Sequence, residues 1–186
     1  MKPPNGDAQA LLLARAGAPE AFRDLIRAHQ ASVFSLALRL VGVREDAQEL
    51  AQDVFLQLHR SIADISSASH LQFWLRRVVC HRAIDRLRRR PASPSVPLDE
   101  AEPLEAPAAP ADPLLERELQ RRVAQLPAVA RAVVLLRYQE DWDPPQIARA
   151  LDIPLNTVKS HLRRSLATLR AQLGGAAPLR EVGTCD

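Results

Sequence analysis

The stretch "NTVKSHLRRSLATLR", residues 156–170, decides how the chain is read. Its apolar members Val158, Leu162, Leu166 and Leu169, continued by Leu173, lie three or four residues apart and form one stripe. That period predicts an amphipathic helix docked on a core. The opposite face carries Thr157, Lys159, Ser160, Arg163 and Arg164. A solvated helix face normally mixes signs, yet no acidic residue occurs between Asp152 and Glu181. One-sided positive charge of this kind suits phosphate.

Working upstream, Pro144-Pro145 opens a shorter apolar helix with Ile147, Ala148 and Leu151, and the turn "DIPL" joins it to the basic one. Two short helices joined by a tight turn, the second basic, are the elements of a helix-turn-helix. Asn156 is placed to cap the second helix, aiming its first turn at phosphates. Before the pair, Leu115, Leu119, Val123 and Leu126 form a stripe ending at Pro127, and Val133, Val134 and Leu136 belong to a further helix.

The 186 residues suffice for one ordinary domain or two small ones, and 47% apolar content is enough for real cores. Net charge is only +3, with a pI near 9.4, but it is unevenly spread. The stretch "RPASPSVPLDEAEPLEAPAAPADP", residues 90–113, is rich in proline and has almost no bulky apolar residue. From residue 91 on it also lacks Lys and Arg and carries Asp99, Glu100, Glu102, Glu105 and Asp112. It reads as an extended, flexible tether. The chain thus divides into an N-terminal module of residues 1–90, a linker of 91–113, a C-terminal module of 114–175 and a tail of 176–186. Among the 25 basic residues only Lys2 and Lys159 are lysine. Arginine excess fits forked phosphate and base contacts, and equally a GC-rich genome.

The N-terminal module reads as four helices. Asp7 can cap the first, which carries Leu11, Leu12 and Leu13, and Gly17-Ala18-Pro19 punctuates before the second. Phe22, Leu25, Ile26, His29, Val33, Leu36, Ala37 and Leu40 keep the helical period as far as Gly42. In the third, Ala47, Leu50, Ala51, Val54, Phe55, Leu58 and Ile62 form the cleanest stripe of the chain, opposite a polar and acidic face of Asp46, Glu49, Gln52 and Asp53. The fourth follows Ser66-Ser67-Ala68-Ser69 and is strongly basic, with arginines at 76, 77, 82, 86 and 88–90 against the single acid Asp85. No alternating strand pattern occurs, so the fold class is all-α, with a helix-turn-helix domain at the C-terminal end.

Enzymatic chemistry is poorly supported. There is no Gly-rich phosphate loop, nucleophile elbow, His-x-x-x-His or Cys-x-x-Cys pair, and no cofactor or metal is implied. Cys80 and His81 are adjacent and point about 100° apart on a helix, which disfavours a shared zinc ion. The two cysteines, Cys80 and Cys185, argue against a disulfide framework, and no apolar run approaches the roughly 20 residues of a membrane span. These features read as a cytoplasmic protein.

"LPAVARAVVLLRYQEDWDPPQIARALDIP", residues 126–154, with the basic helix after it, resembles the minus-thirty-five element-binding domain of bacterial sigma factors. "REDAQELAQDVFLQLHRSI", residues 44–62, followed by "FWLRRVVCHRAIDRLRRR", residues 73–90, resembles their core-binding and minus-ten-binding regions. With these two blocks alone the sequence is similar to the compact extracytoplasmic-function (ECF) group. The resemblance implies a partner, core RNA polymerase, whose largest subunit would take Asp46, Glu49, Gln52 and Asp53 on its clamp helices. It implies that Arg76, Arg77, His81, Arg82, Arg86 and Arg88 face melted minus-ten DNA, with Phe73 or Trp74 available to stack on a base. Lys159, Ser160 and Arg163 match the positions that read duplex base edges, with Thr157 and Arg164 nearer the backbone. An anti-sigma factor that clamps both modules is the usual regulator in the group, and no small-molecule substrate is implied.

Three departures stand out. "ISSASHLQFW" lacks the charged-glycine pattern common in that loop, His81 stands where the family usually has asparagine, and Pro144-Pro145 replaces a Ser and acidic helix opening. A rival reading is a LuxR-like activator or repressor, because residues 156–169 resemble that output domain too. Such proteins pair half-sites as dimers and carry a sensory domain with strands.

Overall fold

The computed structural model describes residues 6–89 and 113–173. Among them are eight α-helices, a single 3₁₀ turn and no strand: α1 (Asp7–Arg15), α2 (Pro19–Val41), α3 (Arg44–Ser61), the 3₁₀ turn (Ile62–Asp64), α4 (Ala68–Arg89), α5 (Pro113–Ala124), α6 (Ala128–Tyr138), α7 (Pro144–Leu151) and α8 (Leu155–Leu173). The expected linker as far as residue 112 and the expected tail, with Arg90 and Cys185, lie outside the described residues, and Pro113, the last residue of that linker, begins α5.

Local chemistry explains most of the boundaries. Pro19 starts α2, where its missing N–H costs nothing, and Gly42 ends it at φ 79°, a left-handed cap that donates to the Leu38 carbonyl at 2.8 Å. Ser67 Oγ accepts from the His70 amide at 3.1 Å and begins α4. Asp143 and Gln146 form a capping box ahead of α7, which opens on Pro144 as the sequence predicts.

Two expected caps are corrected. Asp7 is the first residue of α1 instead of its cap, and its carboxylate is buried, accepting from His29 Nε2 of α2 at 3.1 Å. A long-range partner has won over the local one. Asn156 lies inside the first turn of α8, because the Pro154 carbonyl accepts from the Thr157 and Val158 amides and starts the helix one residue earlier. Leu115, expected on the stripe of α5, is 43% exposed, and the buried end of that stripe is Leu126, just past the helix.

The apolar faces meet in one continuous core. Leu25 and Leu40 of α2, Leu50 and Leu58 of α3 and Leu71 and Leu75 of α4 are buried with Leu136 of α6, Ile147 of α7 and Val158 of α8. A small satellite of Leu126, Ala130, Val134 and Leu169 ties α6 to α8. The two helical modules therefore pack on each other, with α4 lying against α6 and α7, and α2 against α5 and α6. Arg131 reinforces the seam. It is buried and donates to the Leu40 carbonyl of α2 and to the Ala124 carbonyl of its own module. Burial lowers its pKa, and its Nε is a buried donor without a partner.

Candidate nucleic-acid interface

The helix-turn-helix is built by a three-residue turn, Asp152 to Pro154. Asp152 adopts φ 54°, a left-handed conformation that Asp tolerates better than most residues. The Ile153 amide donates to the Ala148 carbonyl at 3.1 Å and folds the chain back. Buried Ile147 and Val158 then fix α8 by its apolar stripe and leave the other face outward. Lys159, Arg163 and Arg164 are exposed, and Thr157 and Ser160 are half-buried beside them. Among the described residues the three cations have no ion pair. Partial burial and the nearby Arg164 charge lower the His161 pKa, so His161 adds no charge near neutral pH.

The basic helix α4 is placed differently. Arg76 is buried at 8% exposure and donates through Nε to the Glu140 carboxylate in the loop between α6 and α7. His81 is half-buried and donates to the Ala150 carbonyl of α7 at 2.8 Å. Arg82 reaches across to α3, donating to Gln57 Oε1 at 2.9 Å and pairing with Asp53 at 3.2 Å. Arg86 pairs with Asp46 at 2.8 Å and also with Glu49. Only Arg77 and Arg88 of the six residues expected to face DNA are exposed without an ion pair among the described residues. The acidic face of α3 and the basic face of α4 thus form one charge network, in which Gln52 is exposed and takes no part. Arg77, His81 and Arg82 line an open groove of about 370 Å³ with Gln57, Val78 and Asp85.

Both candidate stacking residues are half-buried. Trp74 packs on the core, whereas Phe73 stacks on Trp142 with ring centroids 5.1 Å apart and planes inclined by 9°. Cys80 is fully buried, and burial pushes its thiol up to about 12, which makes it inert beside His81. Sequence reasoning passed over Glu140, Trp142 and Arg131. For Arg131 a signal existed, since a lone arginine inside the apolar helix "AVARAVVLL" needs a buried partner.

Comparison with known proteins interprets this arrangement. Residues 25–92 match the family model of sigma-70 region 2, and residues 116–169 match that of sigma-70 region 4. The ECF RNA polymerase sigma factor SigM of Mycobacterium tuberculosis is 32% identical over 168 residues, covering 90% of this chain and 85% of that protein. The chain belongs to the ECF group of RNA polymerase sigma factors. SigW of Bacillus subtilis, another of the group, is 26% identical over 84% of this sigma factor and 91% of its own length. Among solved structures, CnrH in complex with the cytosolic domain of CnrY superposes with a TM-score of 0.66 at 20% identity, covering 93% of this chain and all of that one. RpoE of Bartonella quintana, solved with the anti-sigma factor NepR, gives 0.64 at 18% identity, covering 82% of this chain and 96% of its own.

This is therefore an alternative sigma factor, which works with core RNA polymerase and promoter DNA to direct promoter-specific transcription initiation. The LuxR-like reading is set aside, because region 2 stands where a sensory domain would. No described helix is long and apolar enough to cross a membrane.

Proposed function

We propose that this sigma factor uses three faces in turn. The outer face of α3, with Asp46, Glu49, Gln52 and Asp53, docks on the clamp helices of core polymerase. The basic face of α4, with Arg76, Arg77, His81, Arg82, Arg86 and Arg88, holds the melted minus-ten strand. The exposed face of α8 enters the major groove of the minus-thirty-five element, where Lys159, Ser160 and Arg163 read base edges and Thr157 and Arg164 hold phosphates. Residues 1–90 and 114–175 act as separately placed modules on either side of the linker, and the tail has no assigned role. The chain itself catalyses nothing; RNA synthesis belongs to the polymerase, so the protein acts in the cytoplasm. An anti-sigma factor is a fitting regulator, since CnrH and RpoE were both solved with partners of that kind or with a cytosolic domain bound.

The observation that carries this reading is the row of exposed cations on α8, without an ion pair among the described residues, positioned by a helix-turn-helix and free of any competing acid on its own face. It is tested by run-off transcription with core polymerase on upstream DNA of the source genome. Discrete start sites are expected. Arg163→Ala should relax one promoter position, Arg164→Ala should weaken all promoters alike, and Asp53→Arg should abolish core-dependent starts. DNA binding on paired half-sites without core would refute it.

A further inference from the structure

The α6–α7 loop sits on the part of α4 assigned to the melted strand, and its two contacts copy the chemistry of nucleic acid. Glu140 sets a carboxylate on the Arg76 guanidinium, where a phosphate oxygen would otherwise pair. Trp142 lays its indole parallel to Phe73, the stacking a splayed base makes on an aromatic ring. Phe73, Arg76 and His81 lie on one face of α4, and each is engaged by the C-terminal module.

The closed arrangement is incompatible with reading both promoter elements. Sites 25 base pairs apart are separated by about 85 Å at ~3.4 Å per step. In the structure α4 packs directly on α7, next to α8. Residues 91–113 have an extended reach of about 80 Å at ~3.5 Å per residue, which together with the width of the modules themselves lets the chain span the two sites once the modules part. Parting strips Arg76 of its carboxylate and Phe73 of its ring. A single strand replaces both.

We propose that the loop of Gln139 to Asp143 is an internal lid, a nucleic-acid mimic that occupies the strand-binding face of α4 until promoter engagement displaces it. The proposal rests on the reading of α4 as the strand-binding helix. Arg39 donates to Gln139 Oε1 at 2.6 Å and anchors the lid to α2. The seam also has an apolar interior, where Leu136 and Ile147 meet the core of the first module, and the polar contacts of the lid lie at its edge, where water can replace them.

The test uses the full chain and a fluorescein-labelled single-stranded DNA of mixed sequence. The double variant Glu140→Gln/Trp142→Ala should increase the radius of gyration of the free protein in X-ray scattering and tighten binding of the strand about tenfold, the gain expected when a minor open state becomes dominant. Adding Phe73→Ala should cancel the gain. A second measurement leaves the lid intact: in Trp74→Phe the remaining Trp142 should shift its emission to the red and become open to acrylamide when the strand is added in excess. Unchanged scattering and affinity in the double variant, with Trp142 still shielded, would overturn the lid. Arg77→Ala lies outside the lid and tests the underlying reading alone. If it leaves strand binding and promoter melting unchanged, α4 is not the strand-binding helix and the proposal falls with it.

Discussion

Helices α4 and α8 carry similar runs of arginine, yet they meet opposite fates. On α8 the cations Lys159, Arg163 and Arg164 are exposed, and none is ion-paired among the described residues. On α4 the arginines at 76, 82 and 86 are each taken by a carboxylate, from the α6–α7 loop or from α3. A basic run in sequence therefore states the chemistry a helix can offer, while packing decides whether the charge is available. On the proposed reading, α8 is ready for duplex DNA in the free protein, whereas α4 must be released before it can hold a strand.

That contrast can be broken at its most buried point. Glu140→Ala leaves the Arg76 guanidinium without its carboxylate at a site where the two side chains are 10% and 15% exposed. Removing one member of such a pair costs about 3 kcal/mol or more, less whatever Arg76 regains by reaching water as the modules part. Chemical denaturation should show a lower midpoint and an early phase for the seam. Arg163→Ala should leave stability unchanged and lose about 1–3 kcal/mol of discrimination at one base pair in competition binding.

A pH titration sharpens the comparison within the N-terminal module. Burial lowers the His29 pKa below its ordinary 6.5 and outweighs the opposite pull of Asp7, with the Arg76 charge adding to the lowering. Below pH 6.5 the unfolded chain then binds more protons than the folded one, so stability is full above that pH and falls as pH drops through and below it. His29→Gln should flatten this slope in denaturation midpoints measured from pH 8 to pH 5. The smallest effect belongs to the half-exposed network: Arg86→Ala, which removes one partner from each of Asp46 and Glu49, should cost less than about 1 kcal/mol, and added salt should shrink the difference further.

Much of the fold was legible because its signals are local. Pro19 and Gly42 bracket α2, Pro144 opens α7, and the stripes of α3 and α8 point to their buried faces without reference to any other segment. The two caps misplaced at Asp7 and Asn156 failed for one reason: a local rule was overruled, by His29 of α2 in the first case and by the Pro154 carbonyl in the second. The candidate site was legible in its residue types and order. Its state was not. Nothing near Arg76 in sequence announces Glu140, 64 positions away, and nothing near Phe73 announces Trp142. Such pairings depend on how the modules dock, which periodicity does not encode.

The most direct test of the account is run-off transcription by core polymerase with wild-type protein and with Lys159, Arg163 and Arg164 all replaced by alanine. The account predicts discrete starts for the wild type. For the triple variant it predicts their loss, together with a salt dependence of upstream duplex binding weakened by roughly one phosphate contact, that of Arg164. Starts that persist unchanged in the triple variant would contradict it.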